Sequence, residues 1–190
     1  WIIFNTIHDN DGGIRVESSA NGTGGGGPAY LIGNVIRDTA NAAIKLDKDG
    51  LPVYIVNNTV ENADRFLEQS FQQNLDIAAF DNIVVGMTGL DFSGHDVQVE
   101  AQTVANVSDM NRNMFYQDGS AIQIQWGNTL FTYSSTAAMA TFPGGADNRL
   151  EDPIFVNRAG NDFRLQSGSP AIERGVEHSV YGTFQSLWGR

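Results

Sequence analysis

Residues 30–36, Tyr30-Leu31-Ile32-Gly33-Asn34-Val35-Ile36, return in altered form at residues 54–60 as Tyr54-Ile55-Val56-Asn57-Asn58-Thr59-Val60. Ala43-Ile44-Lys45-Leu46 follows the first phrase, and Arg65-Phe66-Leu67 follows the second. Asn34 and Asn58 lie 58 − 34 = 24 residues apart. A fixed period of this size marks a repeated supersecondary unit, which cannot bury its apolar face alone. Working outward, Asn5, Asn82 and Asn113 close similar apolar phrases, so the steps are 29, 24, 24 and 31. The longer steps are expected to carry loop insertions.

Within each unit the apolar residues alternate over only three to five positions, as in Ile14/Val16, Ile44/Leu46, Leu90/Phe92 and Ile122/Ile124. Alternation with period two predicts strands with these side chains turned inward. A helical period of 3.6 fits none of them. Three short strands per unit predict an all-β parallel β-helix of about five to six coils, with neighbouring strands spaced ~4.8 Å apart. The recurrent Asn is expected in a turn, where its amide bonds the Asn above and below and the backbone turns left-handed. Residues 1–133 are expected to form the coils of one domain, and residues 134–190 a short helix and a closing segment. Ser134 or Ser135 is the expected helix N-cap. The chain opens on Trp1-Ile2-Ile3-Phe4, already inside a repeat, as expected of the C-terminal portion of a longer protein.

The net charge of −11 argues against nucleic acid, which selects a basic face. The absence of cysteine removes thiol catalysis, disulfides and thiolate metal sites. No apolar run reaches the ~18 residues of a membrane-spanning helix. Eight residues, Asn21 to Pro28, are rich in glycine but lack the Lys-Ser/Thr pair of a phosphate loop.

The tail narrows the reading. It runs Asp152-Pro153-Ile154-Phe155-Val156, Asn161-Asp162-Phe163-Arg164-Leu165, Ser167-Gly168-Ser169-Pro170-Ala171-Ile172 and then Gly175. This pattern resembles the closing segment of secreted bacterial right-handed parallel β-helix proteins of the pectate-lyase-like superfamily. Ser108-Asp109-Met110-Asn111, Phe115-Tyr116 and Trp126-Gly127 resemble the same proteins. The resemblance implies export to the medium or cell surface and work on carbohydrate. The superfamily holds polysaccharide lyases, glycosidases, epimerases and surface proteins without known catalysis.

Outward positions of equivalent strands should align across coils. Arg15, Lys45, Leu67, Asp91 and Gln123 are the expected exposed column. Arg15 beside Lys45 would suit the carboxylate of an acidic polysaccharide, and either is a candidate base for abstracting the proton alpha to a uronate carboxyl. Asp91 is a further catalytic candidate, paired with Asp47 in a glycosidase reading. Ordinary solvated residues would give the same column. Asp47 and Asp49, with Asp9 and Asp11 in the matching turn one coil earlier, are candidate Ca²⁺ ligands, or simply good turn formers. Tyr30 and Tyr54 are candidate sugar-stacking residues, or packing residues over the coils. His8 beside Asp9 is a candidate base or an ordinary turn histidine. Two functions remain open: a polysaccharide-binding or polysaccharide-cleaving protein, and a non-catalytic surface, adhesion or fibre module that self-associates through an open coil end.

Overall fold

The computed structural model describes residues 1–17, 27–47, 52–69, 77–89, 95–99 and 107–175. Over these residues the protein is all-β with one short α-helix. The first sheet holds β1 (Ile2–Ile3), β4 (Ala29–Ile32), β7 (Val53–Val56), β10 (Ile77–Phe80) and β13 (Val107–Asp109). The second holds β2 (Thr6–Asn10), β5 (Val35–Thr39), β8 (Thr59–Ala63), β11 (Ile83–Val85), β14 (Met114–Tyr116) and β17 (Arg149–Leu150). The third holds β3 (Ile14–Glu17), β6 (Ile44–Asp47), β9 (Leu67–Gln69), β12 (Val97–Val99), β15 (Ile122–Trp126) and β16 (Thr129–Tyr133).

Each parallel strand pairs with the strand three places later in the chain, and no sheet closes on itself. This order is compatible with a β-helix-like fold. The third sheet ends differently: β16 turns back antiparallel to β15. The helix α1 (Thr136–Met139) follows, and the Ser135 hydroxyl caps it by accepting from the Ala138 amide at 3.2 Å. Strands β18 (Phe155–Asn157) and β19 (Asp162–Leu165) form an antiparallel pair. Among the described residues no helix is long and apolar enough to cross a membrane.

Alternation puts one residue in two of each strand into a shared core. Ile14, Ile44, Leu67, Val97 and Ile124 form an unbroken inward row across the third sheet. Ile36, Val60, Val84 and Phe115 do the same in the second, and Leu31, Ile55 and Ala79 in the first. Each large apolar side chain buried this way contributes roughly 1.5–3 kcal/mol.

The asparagines form one continuous row. Asn34 Oδ1 accepts from the backbone N–H and side-chain amide of Asn5 at 3.0 and 3.1 Å. Asn58, Asn82 and Asn113 repeat the arrangement, and Asn148 extends it. Their Nδ2 groups also donate to carbonyls of the preceding strands, such as Leu31 and Ile55. The left-handed residue is the one before each asparagine, not the asparagine itself. Phe4, Gly33, Asn57, Asp81, Arg112 and Asp147 all have positive φ, from 53° at Asn57 to 65° at Gly33. Asn and Asp tolerate this region, while Phe4 and Arg112 hold it against steric cost. At Gly33 a Cβ would lie 2.5 Å from the ring of Phe4, an exposed side chain that would have to move aside.

Register corrects the expected exposed column. Lys45 pairs with Glu68, Glu68 with Gln98, and Gln98 with Gln125. Leu67 therefore points inward, fully buried. Gln98 takes the row position expected of Asp91, and Gln125 that expected of Gln123. Leu67 departs from the expected column because the second unit has one more residue than the third in its second turn. Thr39 to Ile44 is 44 − 39 = 5 steps, whereas Ala63 to Leu67 is 67 − 63 = 4. The third strand of the fourth unit is Val97–Val99, and the segment at Leu90–Phe92 lies outside the described residues.

Candidate functional site

The outer faces of the three sheets differ in chemistry. On the first, Tyr30, Ile32, Val56, Ala78 and Phe80 form an apolar cluster in which every member is 9% exposed or less. The second is crossed by the closing segment: Arg158 reaches Glu61 at 3.1 Å and Asp118 at 2.8 Å. The third carries the charged row.

Arg15, Lys45 and Glu68 occupy that row in register, because each follows an inward residue of its strand, Ile14, Ile44 or Leu67. Side-chain exposure falls along it, from 58% at Arg15 to 37% at Lys45 and 10% at Glu68. Lys45 Nζ lies 2.6 Å from Glu68 Oε1. Arg15 Nε lies 2.6 Å from Asp47 Oδ2, and its Nη2 is 3.7 Å from Glu17. The expected bare cationic spot is thus a row of cations each facing a carboxylate on its own or the neighbouring strand.

Beside the row lies an open groove of about 540 Å³. Its floor includes Gly12, Gly13 and Ala42, and Asp11, Asn41, Arg15, Lys45 and Asp47 stand around it. Small residues are required here: a Cβ on Gly13 would meet the Ala43 carbonyl oxygen at 2.1 Å. Asp47 is 1% exposed, yet neither carboxylate oxygen takes an aligned hydrogen bond among the described residues. Arg15 neutralises it by proximity while its N–H points off the line. A buried carboxylate without aligned donors is unfavourable until it gains them.

A buried ionic cluster that the sequence reading missed lies in the following units. Arg65 binds Asp64 through Nε at 2.9 Å and Nη2 at 2.8 Å, and its Nη1 lies 3.4 Å from Glu68. Asp96 accepts from the Gln117 amide at 2.6 Å and the Gln123 backbone N–H at 2.5 Å. Burial nevertheless pushes the Asp96 carboxyl up to about 6; the two donors oppose this and the nearby Asp64 charge adds to it. Burial also lowers the His95 imidazole, with Arg65 adding to the effect, and its Nδ1 is buried without a partner among the described residues.

The remaining candidates are dispersed. Tyr30 and Tyr54 lie in the first sheet, stacked on each other at 5.1 Å, with Trp1 on Tyr30 at 4.0 Å. They stack on each other, on a different sheet from Arg15 and Lys45. Asp91 and Asp49 lie outside the described residues. Asp47 aligns with Glu17, while Asp9 lies between the pairs His8–Arg37 and Asn10–Thr39, so Asp9 and Asp47 do not stack as expected. No group of three metal-ligating side chains occurs among the described residues, and Asp47 is paired with Arg15. His8 Nδ1 meets Asp9 Oδ2 at 2.6 Å on an exposed surface. No protein-family model, curated protein or solved structure matches the chain.

Proposed function

We propose that the chain is a right-handed parallel β-helix of the exported, carbohydrate-handling kind, and that its third sheet holds a polysaccharide in the groove beside Asp47. Handedness follows the general preference of parallel crossovers. The observation that carries the reading is the Asp47 carboxylate, buried, without aligned donors among the described residues, and facing an open groove next to a guanidinium. Such a pair offers an acceptor and a donor side by side, the complement of vicinal sugar hydroxyls. Lys45 and Arg15, the candidate proton-abstracting residues, each have a carboxylate within 2.6 Å, which favours holding a chain over cleaving it. The same pairing favours a hydroxyl-rich polymer over a strongly acidic one, which would have to displace Glu68 and Asp47.

The test is retention of the protein on immobilised neutral and uronate-containing polysaccharides, with and without Ca²⁺, together with the ultraviolet absorbance of unsaturated products. Asp47→Asn keeps the size but replaces one acceptor oxygen with a donor. Retention of the wild type and its loss in Asp47→Asn supports the reading. Retention on nothing, or equal retention of both proteins, sinks it. Product absorbance would make the groove a lyase site instead.

A second reading rests on a separate observation. Among the described residues Asn5 is the first of the asparagine row and β1, β2 and β3 are sheet edges, which would pair either with strands of a longer chain or with a second copy. An edge of this kind templates further strands. A structural or fibre module would use it, and sedimentation across a concentration series, compared with Thr6→Pro, distinguishes assembly from a monomer.

A further inference from the structure

A second space lies where the closing segment crosses the turns between the first and second sheets. It has a volume of about 180 Å³. One wall consists of turn residues Asn57, Asp81 and Arg112, and the other of Leu165, Ala171 and Arg174. Two buried polar atoms in these walls stand without partners among the described residues. The Asp81 side chain is 4% exposed; Oδ1 accepts from Arg112 Nε at 2.9 Å, while Oδ2 is buried and unbonded. Arg174 donates through Nη2 to the Asp147 carbonyl at 2.6 Å, while Nη1 is buried and unbonded. One orphan is an acceptor and the other a donor, and each left unmade is unfavourable.

The walls add a third constraint. Leu165 and Ala171 are apolar, so the space is not a uniform bath for water. At about 30 Å³ per water, the volume corresponds to roughly six water molecules, the scale of a single sugar ring. The charge of the three ionised wall groups, two guanidinium groups against one carboxylate, disfavours a metal cation.

We propose that this cavity binds one sugar residue, with a ring hydroxyl donating to Asp81 Oδ2 and a second oxygen accepting from Arg174 Nη1. This site is separate from the third-sheet groove and does not depend on it. The ligand is either a free monosaccharide or the end of a longer glycan, since both present the same hydroxyls.

The experiment is NMR of the ¹⁵N-labelled full chain titrated with methyl glucoside, methyl galactoside, methyl mannoside and galacturonate, and with short oligosaccharides of the same sugars. Movement of the Asn82, Ala171 and Arg174 amide signals is expected with at least one sugar. Asp81→Asn should weaken binding at least tenfold, and so should Arg174→Met, with Arg174→Lys retaining part of it. Monosaccharide binding identifies the free sugar, and binding of oligosaccharides alone identifies a chain end. Retention on polymer, measured on the same variants, should survive Asp81→Asn, which separates this site from the groove. Unchanged signals with every sugar, or equal binding by Asp81→Asn and Arg174→Met variants that remain folded by thermal unfolding, overturns the proposal.

Discussion

The outer faces of the first and third sheets are built on the same parallel register but carry opposite chemistry. In the first sheet the aligned outward positions are Tyr30, Tyr54 and Ala78, then Ile32, Val56 and Phe80. In the third they begin Arg15, Lys45 and Glu68. Backbone pairing is indifferent to this choice, because the ladder uses main-chain groups alone. The outward residues are therefore free to specialise: one face adds apolar packing, while the other keeps charges that packing does not need. Fold and function separate along this line, and the separation can be tested.

The largest effect is expected on the apolar face. Phe80 is fully buried there and sits below the Arg112 guanidinium, 5.8 Å from its ring centroid. Phe80→Ala should cost about 3–5 kcal/mol, the usual penalty for emptying a buried aromatic site. A urea midpoint that barely moves would mean that the outward cluster is not a second core, and the contrast between the faces would fail.

Next comes Asp96, at the edge of the polar face. Its carboxyl is raised to about 6 in the folded protein, against 3.8 as the ordinary value. The folded state thus holds a proton that the unfolded chain has released between these values. Stability attributable to Asp96 is therefore highest below about pH 4 and falls as pH rises toward 6, by about 3 kcal/mol in all. Paired carboxylates such as Asp38, lowered first by its Asn62 hydrogen bond, work in the opposite sense. The readout is accordingly a difference: the wild-type stability minus that of Asp96→Asn, from urea unfolding at several pH values. It should decline between pH 4 and pH 6 and level off above. Parallel curves would show that Asp96 is not a buried acid.

How much of the molecule is legible in the sequence depends on local regularity. The asparagine row and the Arg15–Lys45 alignment follow from short, evenly spaced phrases in the first repeats. Asn148 extends the row after a step of 35 residues, too long to stand out, although Asn148-Arg149-Leu150 repeats the local pattern. Counting fails where loop length changes. One extra residue after Thr39 leaves Leu67 facing inward, and the insertion after Val85 gives the row position of Asp91 to Gln98. The cluster of Asp64, Arg65, His95 and Asp96 carries no sequence motif at all. It is assembled by register, since Arg65 falls opposite Ala42 in the neighbouring unit. The Tyr30 and Tyr54 pair is legible as an aromatic repeat, but whether it stacks on itself or on a ligand is set by neighbours such as Trp1.

The smallest effect on stability, and the sharpest on function, is expected at Lys45. Its ammonium faces Glu68, but the side chain is 37% exposed and Glu68 keeps Arg65 Nη1 at 3.4 Å when Lys45 is removed. Lys45→Ala should therefore shift stability by less than about 1 kcal/mol, as for other partly exposed ion pairs. Its ammonium also lines the groove beside Asp47. A charge-assisted hydrogen bond to a bound sugar is worth about 1.5–3 kcal/mol, so polymer retention should weaken roughly ten- to hundredfold. The two faces then part as their chemistry requires: the apolar one loses stability on truncation, and the polar one loses a ligand. If Lys45→Ala instead unfolds the protein as Phe80→Ala does, the charged row belongs to the scaffold. The groove would then need another explanation for the unbonded carboxylate at its side.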